Sequence, residues 1–243
     1  ASSHPHGASS HAHGAVGNGT HFLGPPSTSD AKISSSSTDV LFQEDLDRSA
    51  PVTSLSKLYI QAAALHGLLC RKTLEWAMAS GGHLSECISD AQKGPSLVQV
   101  TPNDSEGGWM ERVEWAGLKH CDRSIEKMFR VYKGDCSRIV DISRQSIVFA
   151  TCQDMITCLK YINSDPDVAI ERVKSSLDPD QPGNEYNGYR DIKLNIRIVH
   201  EEALKMLVHS HVCEIQLIPR RLYDTKSDRG HTIYRQWRNT LCE

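Results

Sequence analysis

Two acidic residues lie inside apolar stretches of the sequence, where a carboxylate needs a compensating partner. Asp141 occurs in RIVDIS and Glu214 occurs in HVCEIQLIP. Burying a lone carboxylate is costly enough that the group becomes paired, binds a metal or stays protonated. Two such acids on one face of a sheet can hold a divalent cation, because magnesium prefers oxygen ligands. Taken singly, each acid also fits an ordinary solvent-facing strand residue.

Three basic residues, Lys119, Arg123 and Lys127, are spaced four residues apart. In a helix this spacing places them on one stripe. Cations bind phosphate and carboxylates bind a metal, so the stripe and the two acids together predict a site for a nucleoside triphosphate with magnesium. The alternative for the stripe is a solvated helix face.

The stretch NGYRDIKLNIRIV, residues 187–199, alternates apolar and polar residues along its second half. This alternation predicts a β-strand whose polar face carries Lys193, Asn195 and Arg197. Tyr189 lies in the turn at its start, where it could stack on a nucleobase while Lys193 binds phosphate. The alternatives are a tyrosine packed on a neighbouring loop and a polar strand face that meets water.

Length, composition and charge limit the class of protein. A chain of 243 residues suits one domain, or one domain with a tail, and 39% hydrophobic residues are enough for a core. The net charge of −3 argues against a global electrostatic attraction to nucleic acid or anionic lipid, while it allows a local basic pocket. The apolar runs are too short to span a bilayer.

The eight cysteines contain no Cys-x-x-Cys pair, which argues against a zinc ribbon. Several lie within predicted helices and strands, so we expect reduced thiols and favour a reducing compartment, either cytoplasm or the interior of an organelle. The sequence starts with Ala1 and not Met, so we expect a processed or trimmed product, and the compartment stays undetermined.

Two segments differ in composition. Residues 1–53 are rich in Ser, His, Gly and Pro, and they are predicted to be a low-complexity tail, disordered or wrapped around a protein partner. Residues 54–243 carry periodic apolar patterns and are predicted to form the globular domain.

The apolar periodicity predicts an α/β or α+β domain with one mixed sheet of about four to five strands flanked by helices. The predicted helices are 55–80, 109–133, 152–163 and 220–241, and the predicted strands are 137–150, 168–174, 187–199 and 211–218, with 97–100 as a further short strand or connector. No Walker-type Gly-x-x-x-x-Gly-Lys motif, Gly-x-Gly-x-x-Gly motif or Gly-x-Ser-x-Gly elbow is present.

Five segments follow one another in the order found in a known family. They read LKHCDRSIEKM, DISRQSIVF, NGYRDIK, EIQLIP and GHTIY, and the likeness covers residues 115–238. Together they resemble the synthetase domain of RelA/SpoT-type (p)ppGpp synthetases, which has a nucleotidyltransferase-like fold. The corresponding family patterns are Lys-x-x-x-Ser-Ile-x-x-Lys, Asp-Ile-x-x-x-Arg, Asn-Gly-Tyr-x-Ser-x-His, Glu-Ile-Gln-Ile-Arg-Thr and His-x-x-Tyr.

The resemblance implies a role for each matching residue. Lys119 and Lys127 would hold the phosphates of the ATP donor, Asp141 would bind magnesium, and Tyr189 would stack on the guanine of the acceptor. Glu214 would serve as metal ligand or as general base at the acceptor 3′-hydroxyl. The nucleotide-binding candidates are thus Lys119, Arg123, Lys127, Tyr189, Lys193, Gln216 and His231, and the candidate catalytic and magnesium-binding pair is Asp141 and Glu214. The implied reaction transfers pyrophosphate from ATP to the 3′-hydroxyl of a guanine nucleotide or an RNA end.

The chain departs from the family pattern at several ligand positions. Gly117, Ser146 and Ile218 replace family arginines, Arg123 replaces a serine, and Lys193 replaces a histidine. Arg123, Arg144 and Arg220 are candidates to compensate. We expect the Arg144 side chain to lie on the sheet face opposite to Asp141, because side chains alternate along a regular strand and the two residues are three apart.

These departures favour an altered acceptor or a lost activity. The alternative to a pyrophosphotransferase is therefore a catalytically inactive RelA/SpoT-like domain that serves as a nucleotide-binding or structural subunit of a larger complex. An unrelated α+β protein is the third interpretation. The His-Asp pairing of the family's hydrolase half is not found, so hydrolysis of (p)ppGpp is not expected.

Overall fold

The structure is a computed structural model, and it describes residues 41, 43–45, 50–87, 96–101, 108–177 and 190–224. The helices within these ranges are α1 (Leu55–Ser80), α2 (Trp109–Arg112), α3 (Cys121–Arg130), α4 (Cys152–Ser164), α5 (Glu201–Lys205) and α6 (Arg220–Tyr223). The strands are β1 (His83–Glu86), β2 (Ser96–Gln99), β3 (Arg144–Phe149), β4 (Val168–Ser175), β5 (Ile192–Ile198) and β6 (Val212–Pro219).

The six strands form one mixed sheet in the order β2-β1-β3-β6-β5-β4. The β3–β6 pair is parallel, and the other neighbours are antiparallel. The expected mixed sheet flanked by helices is confirmed, with six strands in place of four to five. Strand β1 is the strand that the apolar pattern did not predict, because HLSE lacks a clear alternation.

Helix α1 covers one face of this sheet. Ser54 caps its start by accepting a hydrogen bond from the Lys57 amide at 3.4 Å. It ends at Gly81, which has a left-handed φ of 68°, and at Gly82, where a Cβ atom would lie 2.5 Å from Ile147. The core side chains of α1, α4 and the sheet that meet here include Leu65, Leu69, Trp76, Met155, Ile162, Ile147, Leu194, Ile196, Ile215 and Leu217.

One ion cluster ties α1 to the turn after α4, and we call it the Lys72 cluster. The Lys72 ammonium lies 3.2 Å from Asp165, 2.9 Å from Asp167 and 3.3 Å from Glu75. The Trp76 indole also donates to Asp165 at 2.9 Å. The Lys72 side chain is 12% exposed, whereas two of the acids around it, Asp167 and Glu75, reach water. The pKa of Lys72 is raised, because its bonds to the acids outweigh the effect of burial.

Part of the segment assigned to the tail packs on the domain. Gln43 is fully buried. Val52 is 1% exposed and packs in a cluster with Leu58, Ile139 and Ile142. The globular part therefore includes residues on the N-terminal side of the expected boundary at residue 53. Residues 1–40 lie outside the described residues.

The helix predicted at 109–133 is two helices separated by an extended stretch. The backbone of this stretch bonds to β1, since the Glu114 amide donates to Ser85 and the Cys87 amide donates to Arg112. These bonds take the place of helical ones around residues 112–114. The strand predicted at 137–150 is likewise shorter, because residues 136–138 form a 3-10 turn and β3 begins only at Arg144. Of the helix predicted at 220–241, only α6 falls within the described residues.

None of the helices in the described ranges is both long enough and apolar enough to cross a membrane.

Candidate active site

The parallel pairing of β3 with β6 brings Asp141 and Glu214 to the same place. Arg144 is the register partner of Glu214, and the Glu214 amide donates to the Ser143 carbonyl at 3.1 Å. Asp141 lies in the segment just before β3, two residues from Ser143. Both acids are 8% exposed. Two acids that are 73 residues apart in the chain are therefore nearly buried at neighbouring positions on two parallel segments.

Two lysines converge on Asp141. The Lys119 ammonium lies 2.5 Å from one carboxylate oxygen, and the Lys127 ammonium lies 3.2 Å from both oxygens. Lys119 is positioned by its backbone, because its amide donates to the Ile142 carbonyl at 2.9 Å and its carbonyl accepts from the Tyr59 hydroxyl at 2.6 Å. We call Asp141, Glu214, Lys119 and Lys127 the Asp141 cluster.

The lysines determine the ionisation of Asp141. Burial alone would raise its pKa, but the charges of Lys127 and Lys119 outweigh burial and lower the pKa to about 2. Burial lowers the pKa of Lys119 despite Asp141, with the charges of Lys127 and Arg144 acting in the same direction. The pKa of Lys127 is raised, because Asp141 and Tyr132 outweigh its burial. Asp141 is thus a carboxylate and Lys127 an ammonium at neutral pH.

Glu214 differs from Asp141 in its immediate partners. Its carboxylate accepts a hydrogen bond from the Gln216 amide at 2.7 Å, and among the described residues no lysine or arginine lies within ion-pair distance of it. Burial raises the pKa of Glu214, and the nearby charge of Asp141 raises it further. An acid with a raised pKa beside an ionised one is the arrangement expected of a proton acceptor or of a ligand for a cation.

Polar side chains continue across the sheet on the same face. In one row the register joins Arg144, Glu214 and Asn195, and in the next it joins Ser146, Gln216 and Lys193. Directly opposed residues in neighbouring strands share a face. The prediction that NGYRDIKLNIRIV forms a strand with a polar face is confirmed for β5, and that face adjoins Glu214.

The premise of the expectation for Arg144 is wrong. It assumed that Asp141 lies in the same regular strand, whereas β3 begins at Arg144 and Asp141 precedes it. Strand alternation therefore does not relate the two side chains. Arg144 is the neighbour of Glu214, and its charge acts on Lys119.

Other predicted ligands lie in different surroundings. Arg123 pairs with Glu126 along α3, and Arg220 pairs with Asp224 at 3.6 Å beyond the end of β6. Lys193 does lie on the polar face, where its ammonium bonds the buried Asp191 at 2.7 Å. The predicted ligands outside the described residues are Tyr189 and His231.

Gln43 was not among the predicted site residues. Its side-chain amide donates to the carbonyls of Ile139 at 3.2 Å and Val212 at 2.8 Å, and its oxygen accepts from the Val212 amide at 2.7 Å. Ile139 and Val212 each lie two residues before one of the two acids, Asp141 and Glu214. Gln43 is therefore hydrogen-bonded to both of the segments that carry the acids. Its position in a low-complexity stretch gives no sequence signal for this contact.

The donor set fits magnesium. The ion is commonly bound by one or two carboxylates together with substrate phosphates. Asp141 and Glu214 supply two carboxylates at neighbouring positions, and Glu214 lacks a paired cation among the described residues. These two acids are the residues that would hold the ion.

Neither a protein-family profile nor a curated protein sequence matches this chain. Several solved chains match, and two of them are described here. The complex of the type VI effector Tas1 and its immunity protein has a TM-score of 0.40 at 18% identity, over 69% of this chain and 62% of that one. The small alarmone synthetase 2 from Bacillus subtilis has a TM-score of 0.44 at 18% identity, over 76% of this chain and 81% of that one.

This chain spans less than two thirds of the Tas1 chain. Because identity and TM-score are low in both matches, function is inferred from the side chains of the site.

Proposed function

We propose that this protein is a pyrophosphotransferase, which transfers pyrophosphate from ATP to the 3′-hydroxyl of a guanine nucleotide or an RNA end. The observation that carries the proposal is the meeting of Lys119 and Lys127 at Asp141, with the ionisable Glu214 beside them. The same four residues match the family motif, and the fold places them together although they come from three separate segments.

The charges of the site suit an anionic donor. The Asp141 cluster holds two ammonium groups and two carboxylates, and Arg144 adds a further cation at the register position beside Glu214. Lysine and arginine are the side chains that neutralise transferring phosphates. Magnesium held by Asp141 and Glu214 would supply further positive charge at the phosphates.

Glu214 supports the acceptor side of the reaction. Its carboxylate is held by the Gln216 amide and can accept a proton from a substrate hydroxyl. In the proposed step the 3′-oxygen gives its proton to Glu214 and forms a bond to the β-phosphorus of ATP. The bond between that phosphorus and the oxygen bridging to the α-phosphate breaks, and AMP leaves.

The surroundings of Glu214 favour this function over an inactive domain. A buried acid surrounded by apolar side chains would argue for a structural role. Glu214 instead has Gln216, Asn195 and Arg144 as polar neighbours. Arg144 also offers a cation near the position where Ser146 lacks the family's arginine.

A label-transfer assay tests the proposal. The protein is incubated with magnesium and γ-³²P-ATP, with GDP, GTP, AMP or deacylated tRNA as acceptor, and products are separated by thin-layer chromatography. We expect label on a guanine nucleotide or on the tRNA end, and its loss in Glu214→Gln. Glu202→Gln, which changes an exposed acid paired with Arg71, is the matched control and should transfer normally. A folded protein that labels no acceptor would overturn the proposal and support a binding or structural role.

A further inference from the structure

Three consecutive residues at the start of α3 place three different metal-binding atoms close together. His120 offers an imidazole nitrogen, Cys121 a sulfur and Asp122 a carboxylate oxygen, and these atoms all lie within 4.8 Å of one another. All three side chains are exposed to solvent, so an ion can reach them. Within the described residues no other set of three such donors lies this close together. The set is separate from the Asp141 cluster and has no part in the proposed transfer.

The turn into α3 brings these atoms together. His120 has an extended backbone, with φ −58° and ψ 138°, and Cys121 is the first helical residue. Consecutive side chains point to opposite faces along a regular strand, whereas here the backbone changes conformation between the two residues. As a result His120 Nδ1 lies 3.3 Å from Asp122 Oδ2. The Cys121 sulfur lies 3.6 Å from Asp122 Oδ1.

The imidazole of His120 does not cap its own helix, which distinguishes it from a second histidine. His200 precedes α5 with nearly the same backbone, φ −58° and ψ 153°, and its Nδ1 accepts a hydrogen bond from the Glu202 amide at 3.2 Å. Such a bond is the usual role of a side chain at this position. His120 makes no capping bond, and its Nδ1 faces Asp122 instead. The ring nitrogen is therefore directed to the other two donors and not to the backbone.

The spacing and the types of donor fit zinc. Zinc binds nitrogen and oxygen at about 2.0 Å and sulfur at about 2.3 Å, with tetrahedral geometry. Ligand atoms on such a tetrahedron lie about 3.3 Å apart for nitrogen and oxygen and about 3.5 Å apart for sulfur and oxygen. The distances from Asp122 to His120 and to Cys121, 3.3 Å and 3.6 Å, agree with these values. A thiolate and an imidazole are poor ligands for magnesium, which prefers oxygen.

We propose that His120, Cys121 and Asp122 form a zinc site with three protein ligands and one open coordination position. On binding, the Cys121 thiol releases its proton to the solvent, and the thiolate, the imidazole and the carboxylate coordinate the ion. Structural zinc sites are closed by four protein ligands, whereas this one leaves a position for water or another small ligand. Because the ligands are few and exposed, we expect reversible binding with a Kd on the order of micromolar.

The site is joined to the position of Lys119 through the first turn of α3. Lys119 directly precedes His120, and its carbonyl accepts from the Tyr59 hydroxyl, which also lies 2.7 Å from the Ser124 hydroxyl. The His120 carbonyl accepts from the amides of Arg123 at 3.0 Å and Ser124 at 3.2 Å. An ion bound to the His120 ring restrains this residue, so it should also strengthen the two hydrogen bonds that begin the helix.

A cobalt titration tests whether the site binds metal. Cobalt(II) takes the place of zinc and reports its ligands by absorption, so the full chain is titrated with it under a non-thiol reductant. We expect a thiolate-to-metal charge-transfer band in the near ultraviolet and the visible bands of tetrahedral cobalt, all lost when zinc is added. The histidines near the start of the chain also bind cobalt but cannot give a thiolate band, and they are His4, His6, His11, His13 and His21. Absence of the band, or a band that zinc does not displace, would overturn the proposal.

Variants assign the band to these residues. Cys121→Ser should abolish it, and His120→Ala and Asp122→Asn should each raise the cobalt Kd by about tenfold or more. Cys152→Ser is the matched control, because Cys152 is also an exposed first residue of a helix, with Thr151 before it and Gln153 after it in place of histidine and aspartate. It should bind like wild type. A band that persists in Cys121→Ser, or an unchanged Kd in both other variants, would overturn the assignment.

Hydrogen exchange tests the link to α3. We expect the Arg123 and Ser124 amides to exchange more slowly with saturating zinc in the wild type, and at an unchanged rate in Cys121→Ser. Equal rates with and without zinc in the wild type would overturn the link. None of these measurements requires transfer of pyrophosphate. A protein that binds cobalt through Cys121 but labels no acceptor would therefore overturn the proposed function alone, and active protein without the thiolate band would overturn the zinc site alone.

Discussion

The Lys72 cluster and the Asp141 cluster use the same types of side chain in different proportions. In the first, one lysine is surrounded by three acids. In the second, two lysines share one acid, and a second acid, Glu214, has no paired cation among the described residues. The Lys72 cluster is complete without a ligand, whereas the Asp141 cluster has an acid that still lacks a counter-charge.

Exposure strengthens this difference. The side chains of Asp167 and Glu75 are 36% and 60% exposed, so water stabilises the excess negative charge around Lys72. Asp141 and Glu214 are only 8% exposed, so their charges must be balanced within the site. Ion pairs with access to water join elements of the fold, whereas an incompletely paired, shielded group indicates a place for a ligand.

The largest expected effect is the loss of transfer in Asp141→Asn. The change removes the anion that orients both lysines and one of the two proposed magnesium ligands. We expect kcat to fall on the order of 10³-fold or more, measured by label transfer under saturating ATP. Asp165→Asn, the matched change in the Lys72 cluster, should lower stability and leave kcat unchanged. Full activity in Asp141→Asn would remove the distinction between the two clusters.

The next effect concerns Glu214→Gln, which should separate activity from stability. We expect kcat to fall by about 10²- to 10⁴-fold with the loss of the proton acceptor. The folded-state pKa of Glu214 is raised, so the wild type loses stability as pH rises from the unfolded-state pKa through the folded-state pKa. The variant lacks this loss and should be more stable than wild type at pH 7, with a smaller difference at pH 4. Urea unfolding at the two pH values measures it, and a variant less stable at pH 7 would contradict the raised pKa.

Sequence reasoning predicted the content of the site better than its geometry. Asp141, Glu214, Lys119 and Lys127 were found because charged residues within apolar or periodic stretches need partners. The reasoning about Arg144 fails because it extends strand alternation over residues 137–143, which overlap a 3-10 turn and precede β3. That turn is capped by Asp135, whose side chain accepts a hydrogen bond from the Ser137 amide at 3.0 Å, and apolar alternation alone does not show where the turn ends and β3 begins.

Lys72→Met tests the other side of the comparison. The variant leaves Asp165 without the cation that now holds it, and breaking a largely buried pair costs about 3–5 kcal/mol of unfolding free energy. Protein that remains folded should transfer label with an unchanged kcat.

Lys127→Met should show the reverse, because Lys119 still pairs with Asp141 and limits the loss of stability while phosphate binding weakens. Chemical denaturation and label transfer on the same samples distinguish the outcomes. A loss of kcat in Lys72→Met beyond the unfolded fraction would show that this cluster contributes to the site.

The smallest effect tests whether geometry, and not composition alone, distinguishes the Asp141 cluster. Gln43→Leu keeps all four members of that cluster and removes the three hydrogen bonds that join the Ile139 and Val212 segments. We expect a loss of stability of about 1–3 kcal/mol, because buried carbonyl and amide groups lose their partners. We also expect a fall in kcat of roughly tenfold, as the two acids lose their fixed separation.

Val52→Ala is the matched control, since it weakens the packing of the same segment and leaves those bonds in place. If both variants lose stability equally and only Gln43→Leu loses kcat, Gln43 positions the acids. If both retain kcat, the parallel β3–β6 pairing is sufficient to hold Asp141 and Glu214 at their working distance.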